Sequence, residues 1–109
     1  MDFVVWLYKE TSSFPKSELY GLTAQIRRAA VSIPSNIAEG ASRKNTKEFI
    51  QFLYISNGSL SEIETQIEIA FRLNYIKDLT ELLTIIKHLR KLLGGLIQAL
   101  KIKSETVKR

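Results

Sequence analysis

From Asn45 to Leu73, and again from Asp78 to Ile102, the chain sets apolar side chains at steps of three and four without a single proline. Alternation with a period of two, the mark of a half-buried strand, is nowhere comparably long. A chain with two such stretches must bury two long amphipathic helices, and the simplest partners for helices are other helices. In the first stretch Phe49, Phe52, Leu53, Leu60, Ile63, Ile67, Ala70 and Phe71 form one stripe, which Ile55, Ile69 and Leu73 widen on one flank. A stripe this wide meets more than one neighbour. In the second stretch Leu79, Leu82, Leu83, Ile86, Leu89, Leu93, Leu96, Ile97 and Leu100 play the same part. Both starts carry a variant of the capping box, with Asn45 three residues before Glu48 and Asp78 three before Glu81.

Two earlier segments complete the set. Phe3, Val4, Leu7 and Tyr8 mark a short helix that stops before Pro15, and Leu19, Leu22, Ile26, Ala29, Ala30, Ile33, Ile37 and Gly40 mark a longer one. Pro34 lies inside the latter, removes the bond to the Ala30 carbonyl and is expected to kink it. The predicted helices cover residues 2–12, 17–41, 46–73 and 79–102, followed by a basic tail at 103–109, all in one domain. Short connections make consecutive helices antiparallel, so the expected fold is all-α, an up-down-up-down four-helix bundle. At 1.5 Å per residue the first helix is only about 16 Å long and the later ones about 36 to 42 Å. The first is therefore expected to cover only the half near Leu19 to Ala30, leaving Ile37, Phe49, Phe52, Leu96 and Leu100 without a fourth wall.

Composition narrows the chemistry. Cysteine is absent and histidine occurs once, as His88, so no thiolate nucleophile, disulfide scaffold or Cys/His metal set can be built. The expectation is no cofactor, no metal and no catalysis, in a cytoplasmic protein. The longest uncharged run, Phe49 to Ser61, is too short to span a bilayer, which takes about 20 residues. Glu62 falls on the apolar flank between Ile55 and Ile69 and needs a cation there. Arg27 and Arg28 are the expected partners of Glu39, Glu62 and Glu64, as ion pairs that fix register; acid–base chemistry by these carboxylates is the other reading. Gly58, Gly94 and Gly95 lie inside helices with no strand before them, so they cradle no phosphate and are expected to serve close packing.

The net charge of +5 is uneven: residues 43–54 and 87–109 are basic, and 55–86 are acidic. In an up-down bundle Arg43, Lys44 and Lys47 share an end with Lys101, Lys103, Lys108 and Arg109, while Lys87, Arg90 and Lys91 extend this cap along the last helix. Phosphate contact is one reading. Complementation of the helix macrodipole by a solvated tail is the other, and no aromatic platform is evident among these residues. The second helix also carries Ala24, Val31 and Ala38 at seven-residue spacing opposite its core stripe, near Tyr20 and Arg27. That face fits an oligomer interface, although alanines also suit a free helix surface.

The run from Phe14 to Gly40, with Gly21-Leu22-Thr23, Gln25-Ile26-Arg27-Arg28-Ala29-Ala30 and Ile33-Pro34-Ser35-Asn36-Ile37-Ala38-Glu39-Gly40, resembles the signature of a bacterial family. Lys47-Glu48-Phe49 and Gly58-Ser59-Leu60-Ser61-Glu62-Ile63-Glu64-Thr65-Gln66 continue the likeness. This family is the four-helix-bundle 23S rRNA intervening sequence proteins, related to accessory proteins of diversity-generating retroelements. The resemblance implies a ring-shaped homopentamer, a tie to structured RNA or a reverse transcriptase, and no established enzymatic activity. Members usually carry more helix upstream of the segment matching Asp2 to Tyr8. Two functions stay open: a noncatalytic, self-assembling bundle whose basic end contacts RNA or DNA, and a scaffold that binds a partner protein's helix.

Overall fold

The computed structural model describes residues 1–108 in backbone and 1–105 in side chain. The side chain of Lys108 and the whole of Arg109, both assigned to the basic cap, lie outside the described residues. Four helices are present, α1 (Asp2–Thr11), α2 (Leu22–Ala41), α3 (Thr46–Arg72) and α4 (Thr80–Lys108), and no strand occurs among the described residues. They pack around one hydrophobic cluster into a rod of 55 × 24 × 19 Å.

The seam between α2 and α3 is the most extensive contact of the fold, and small residues bring the two helices together along it. A Cβ placed on Gly40 would sit 2.7 Å from Phe52 Cβ and 2.9 Å from Phe49 Cδ1, so only glycine fits there. Farther along, the buried Ser56 hydroxyl donates to the Ile33 carbonyl at 2.9 Å, and Ser32 and Ser59 share a hydrogen bond of 2.8 Å between their hydroxyls. Asn36 donates to both the carbonyl and the hydroxyl of Ser32. These contacts descend along α3 as they ascend along α2. Polar groups therefore bracket Pro34, whose own N–H is missing, and the apolar core begins on either side with Ile26, Ala30, Leu53, Leu60 and Ile63. Complete burial of each large aliphatic side chain contributes about 1.5 to 3 kcal/mol.

Helix ends follow local chemistry. Asn45 caps α3 by accepting from the Lys47 N–H at 2.8 Å, and Asp78 accepts from the Thr80 N–H at 2.9 Å at the start of α4. Hydrogen bonds from the Thr80 backbone and side chain lower the Asp78 carboxyl from its ordinary value. At the far end of α3, Asn74 takes a left-handed conformation with φ 65°, the Tyr75 N–H reaches the Ala70 carbonyl and the Asn74 N–H reaches that of Phe71. This is a Schellman closure with asparagine where glycine is commoner.

Several expectations are corrected. The second helix begins at Leu22 rather than at residue 17, because residues Lys16–Glu18 form a separate 3-10 turn and Gly21 breaks the path with φ −108° and ψ −111°. Glu18 spans the break, accepting from the Leu22 N–H at 3.4 Å and from the Tyr75 hydroxyl at 3.0 Å. The fourth helix continues to Lys108, so most of the basic tail is helical. Helix α1 reaches farther than its length suggested, since Met1 and Val4 line a groove with Val31, Pro34, Ser35 and Ala38. Ile37, Phe49, Phe52 and Leu100 are half-buried beyond it. Leu19, Phe71, Leu83 and Leu96, assigned to core stripes, are exposed, while the buried positions include Thr11, Thr23, Ser56 and Ser59. Finally, a Cβ on Gly58, Gly94 or Gly95 would meet nothing within 4 Å, so within the chain these glycines pack against nothing.

The two kinds of glycine make opposite predictions. Gly95→Ala should raise stability by up to about 1 kcal/mol through helix propensity alone. Gly40→Ala should lower it by about 1 to 3 kcal/mol, because the seam must part to admit a methyl group. Denaturant midpoints at constant m-value measure both.

Candidate functional site

The start of α3 and the end of α4 meet along one edge of the rod. Lys101 Nζ lies 5.3 Å from the ring centroid of Tyr54, which places Lys101 about two helical turns from Lys47 on α3. Lys44, Lys47, Lys101 and Lys103 are all exposed, and among the described residues no lysine is in an ion pair. Arg43 behaves differently. Its guanidinium binds Glu39 at 2.6 Å and stands 5.2 Å over the Phe52 ring, so much of its charge is already matched. Farther up α4, Lys87 and Lys91 are exposed, whereas Arg90 donates to Glu64 at 2.7 Å and to Ser61 at 3.0 Å. Arg90 thus clamps α4 to α3 rather than standing free in the basic cap.

Aromatic rings do stand among the basic residues, contrary to the sequence reading. Tyr54 is 48% exposed and Phe52 is half-buried. The signal was present in the spacing: Tyr54 falls seven residues after Lys47, on the same helical face. What the sequence alone lacked was the register that sets Lys101 beside it.

The ion pairs expected of Arg27 and Arg28 are also corrected. Arg27 turns away from Glu39, Glu62 and Glu64 and closes the end of α1 instead. Its Nε donates to Thr11 Oγ1 at 3.0 Å, its Nη2 to the Tyr8 carbonyl at 3.2 Å, and its plane covers the Tyr8 ring at 4.6 Å. The three carboxylates have other surroundings: Glu39 pairs with Arg43, Glu64 with Arg90, and Glu62 is exposed on a flank where Ile55 and Ile69 are exposed too. Arg28 is exposed and lines a groove with Tyr8, Leu19, Tyr20, Ala24, Arg27 and Val31. Of the residues read as an interface, Tyr20 is 93% exposed and Val31 is 42% exposed, Ala38 is exposed, and Ala24 and Arg27 are half-buried. They follow the boundary between α1 and α2, where a second groove, lined by Met1, Val4 and Pro34, is almost wholly apolar.

His88 is exposed, and among the described residues no three His, Cys, Asp or Glu side chains stand close enough together to hold a metal ion. No helix among them is long and apolar enough to cross a membrane. Fold and site together define a small all-α, bundle-like protein with one basic edge and one apolar face. The chain belongs to the family of 23S rRNA-intervening sequence proteins, whose model matches residues 1–95. No curated protein is similar enough in sequence to count as a match.

Because Arg27 joins α2 to the last turn of α1, its loss should act locally. Arg27→Ala is expected to cost about 1 to 2 kcal/mol. Amide exchange should accelerate in α1 well before α2 and α3 respond. Arg27→Lys should recover little of this, because an ammonium cannot make both bonds and stack on Tyr8 at once.

Proposed function

We propose that this chain is a noncatalytic, self-assembling bundle of the cytoplasm that contacts the phosphates of structured RNA through its basic end. The observation that carries the reading is the set of exposed lysines, Lys44, Lys47, Lys101 and Lys103, none of them in an ion pair among the described residues, where α3 begins and α4 ends. An unmatched cation near a phosphate releases condensed counterions, whereas one already paired releases fewer. The family name, which refers to 23S rRNA, agrees with this choice of partner. The opposed register of α2 and α3 and of α3 and α4 supports an antiparallel up-down-up-down order, and the place of Pro34 inside α2 is the ground for a kink there.

Self-assembly belongs to the same reading. The face bearing Tyr20, Ala24, Val31 and Ala38 is apolar and open, and a second copy of the chain is the occupant proposed for it, in a closed ring with a pentamer favoured by the family resemblance. A ring repeats the basic end around its axis and so converts a weak contact into a tight one. The same open face supports the alternative, a scaffold that takes a helix of a partner protein and does not touch nucleic acid.

Titration of a labelled RNA hairpin at several salt concentrations tests the first reading. Log affinity should fall with log salt by about 0.9 per phosphate neutralised on duplex and about 0.7 on single strands. Lys44→Glu, Lys47→Glu and Lys103→Glu combined should abolish binding with helicity intact; unchanged affinity and slope would remove the basic end from the mechanism. Arg43 is better left in place, because a glutamate there would face Glu39.

Assembly has its own measurement. Val31→Glu should shift light scattering from the closed assembly towards monomer, since an unpaired carboxylate would enter the interface. A wild-type monomer at high concentration would end the ring and favour the scaffold.

A further inference from the structure

Three features coincide on the outer edge between α3 and α4. Lys87, Lys91, Gly94, Gln98 and Lys101 fall on one face of α4, and all are exposed. On α3, Lys47, Gln51, Tyr54 and Gly58 do the same. The two faces are tied together at Lys101 with Tyr54 and at Arg90 with Ser61 and Glu64, so Gly58 and Gly94 lie on the edge between two cross-links. Glycine is the least favourable residue in a helix interior after proline, and neither glycine is demanded by the chain's own packing, since a Cβ on each would meet open space. At Gly58 and Gly94 the edge is therefore open down to the helix backbone. It has cations at both ends, with Lys91 and Lys101 about 15 Å apart along the helix. Tyr54 beside it presents an exposed ring that the core does not use.

We infer that this edge is a track for a single strand of nucleic acid, with one base stacked on Tyr54 and the backbone crossing Gly58 and Gly94 between Lys101 and the pair Lys87 and Lys91. The inference rests on the nucleic-acid reading above and specifies it. A base needs a free π-face and two unstacked neighbours to reach a protein ring, which a duplex does not offer. Lys101 already occupies the Tyr54 ring as a cation would in the absence of a base. When a base takes the ring, the flexible lysine stem lets the ammonium move to the adjoining phosphate. The missing side chains at Gly58 and Gly94 let the sugar–phosphate chain approach both helix backbones.

Fluorescence anisotropy separates the possibilities, using a labelled uridine oligonucleotide of about 12 nucleotides and an RNA duplex of equal length. Tyr54→Ala should weaken single-strand binding about tenfold and leave duplex binding unchanged, and Tyr54→Phe should bind like the wild type. Gly58→Gln with Gly94→Gln should leave the thermal midpoint unchanged or raise it, while also weakening the single strand about tenfold. This pair excludes misfolding as the cause. Tyr54→Ala binding the single strand as tightly as the wild type, or losing both probes equally, would overturn the track. If in that case Lys44→Glu, Lys47→Glu and Lys103→Glu combined still abolish binding, the basic-end reading stands without it. A wild type that binds neither probe would overturn both.

Discussion

The approach of α2 to α3 governs the rest of this molecule. Gly40 against Phe49 and Phe52 sets how near the helices come, and the hydroxyls of Ser32, Ser56 and Ser59 hold that spacing with hydrogen bonds in place of bulk. Close approach permits alanines to count as core: Ala29, Ala30 and Ala70 are buried where larger side chains would be needed at a wider spacing. Next to Pro34 the seam also binds the backbone of α2, because the Ser56 hydroxyl donates to the Ile33 carbonyl. With α2 and α3 fixed, α4 and α1 each have a surface to dock on, and the basic edge and apolar face fall where those dockings leave the surface open.

Three arginines and the lysines take different duties, with exposed Arg28 and the ring-covering Lys101 as exceptions. Arg27, Arg43 and Arg90 each bind a carbonyl, hydroxyl or carboxylate of their own chain, and two of them also cover a ring. The guanidinium fork suits such fixed duties, and its weaker hydration lowers the cost of leaving water. Lysines, as mobile and strongly hydrated point charges, stay at the surface. Electrostatic reach is therefore set by the lysines more than by the formal charge.

Much of this was legible in the chain itself. The steps of three and four gave all four helices, Asn45 acted as the cap its position suggested, and the run from Phe14 to Gly40 pointed to the family that the match over residues 1–95 establishes. The readings that failed share one cause, which is that they depend on register between elements. Whether Arg27 meets Glu62 or the end of α1 is decided by a helix docking that no periodicity encodes. Leu19 looked like core because its spacing matched, yet Gly21 interrupts the helix and turns Leu19 outward. Tyr54 carries no signal of its own, because a tyrosine on a helix flank gains meaning only beside Lys101, far away in sequence.

Glu18 carries a consequence for how motion is distributed. One carboxylate holds both the first turn of α2 and the Tyr75 hydroxyl from the α3–α4 connection, and the carboxylate pushes the phenol above its ordinary value. That link weakens as alkali removes the phenolic proton, when two anions would face each other. Tyr75 also packs on Phe14, whose backbone N–H reaches the Thr11 carbonyl, so the end of α1 joins the same knot. Two of the three connections between helices, α1 to α2 and α3 to α4, are thus pinned at one pole of the rod. At the opposite pole the short connection from α2 to α3 is held by the Asn45 cap and by Arg43, which binds Glu39 and covers the Phe52 ring, and α4 runs out beside it. A partner that meets the rod at this second pole therefore finds the end of α4, which it can displace without breaking the knot of Glu18 and Tyr75.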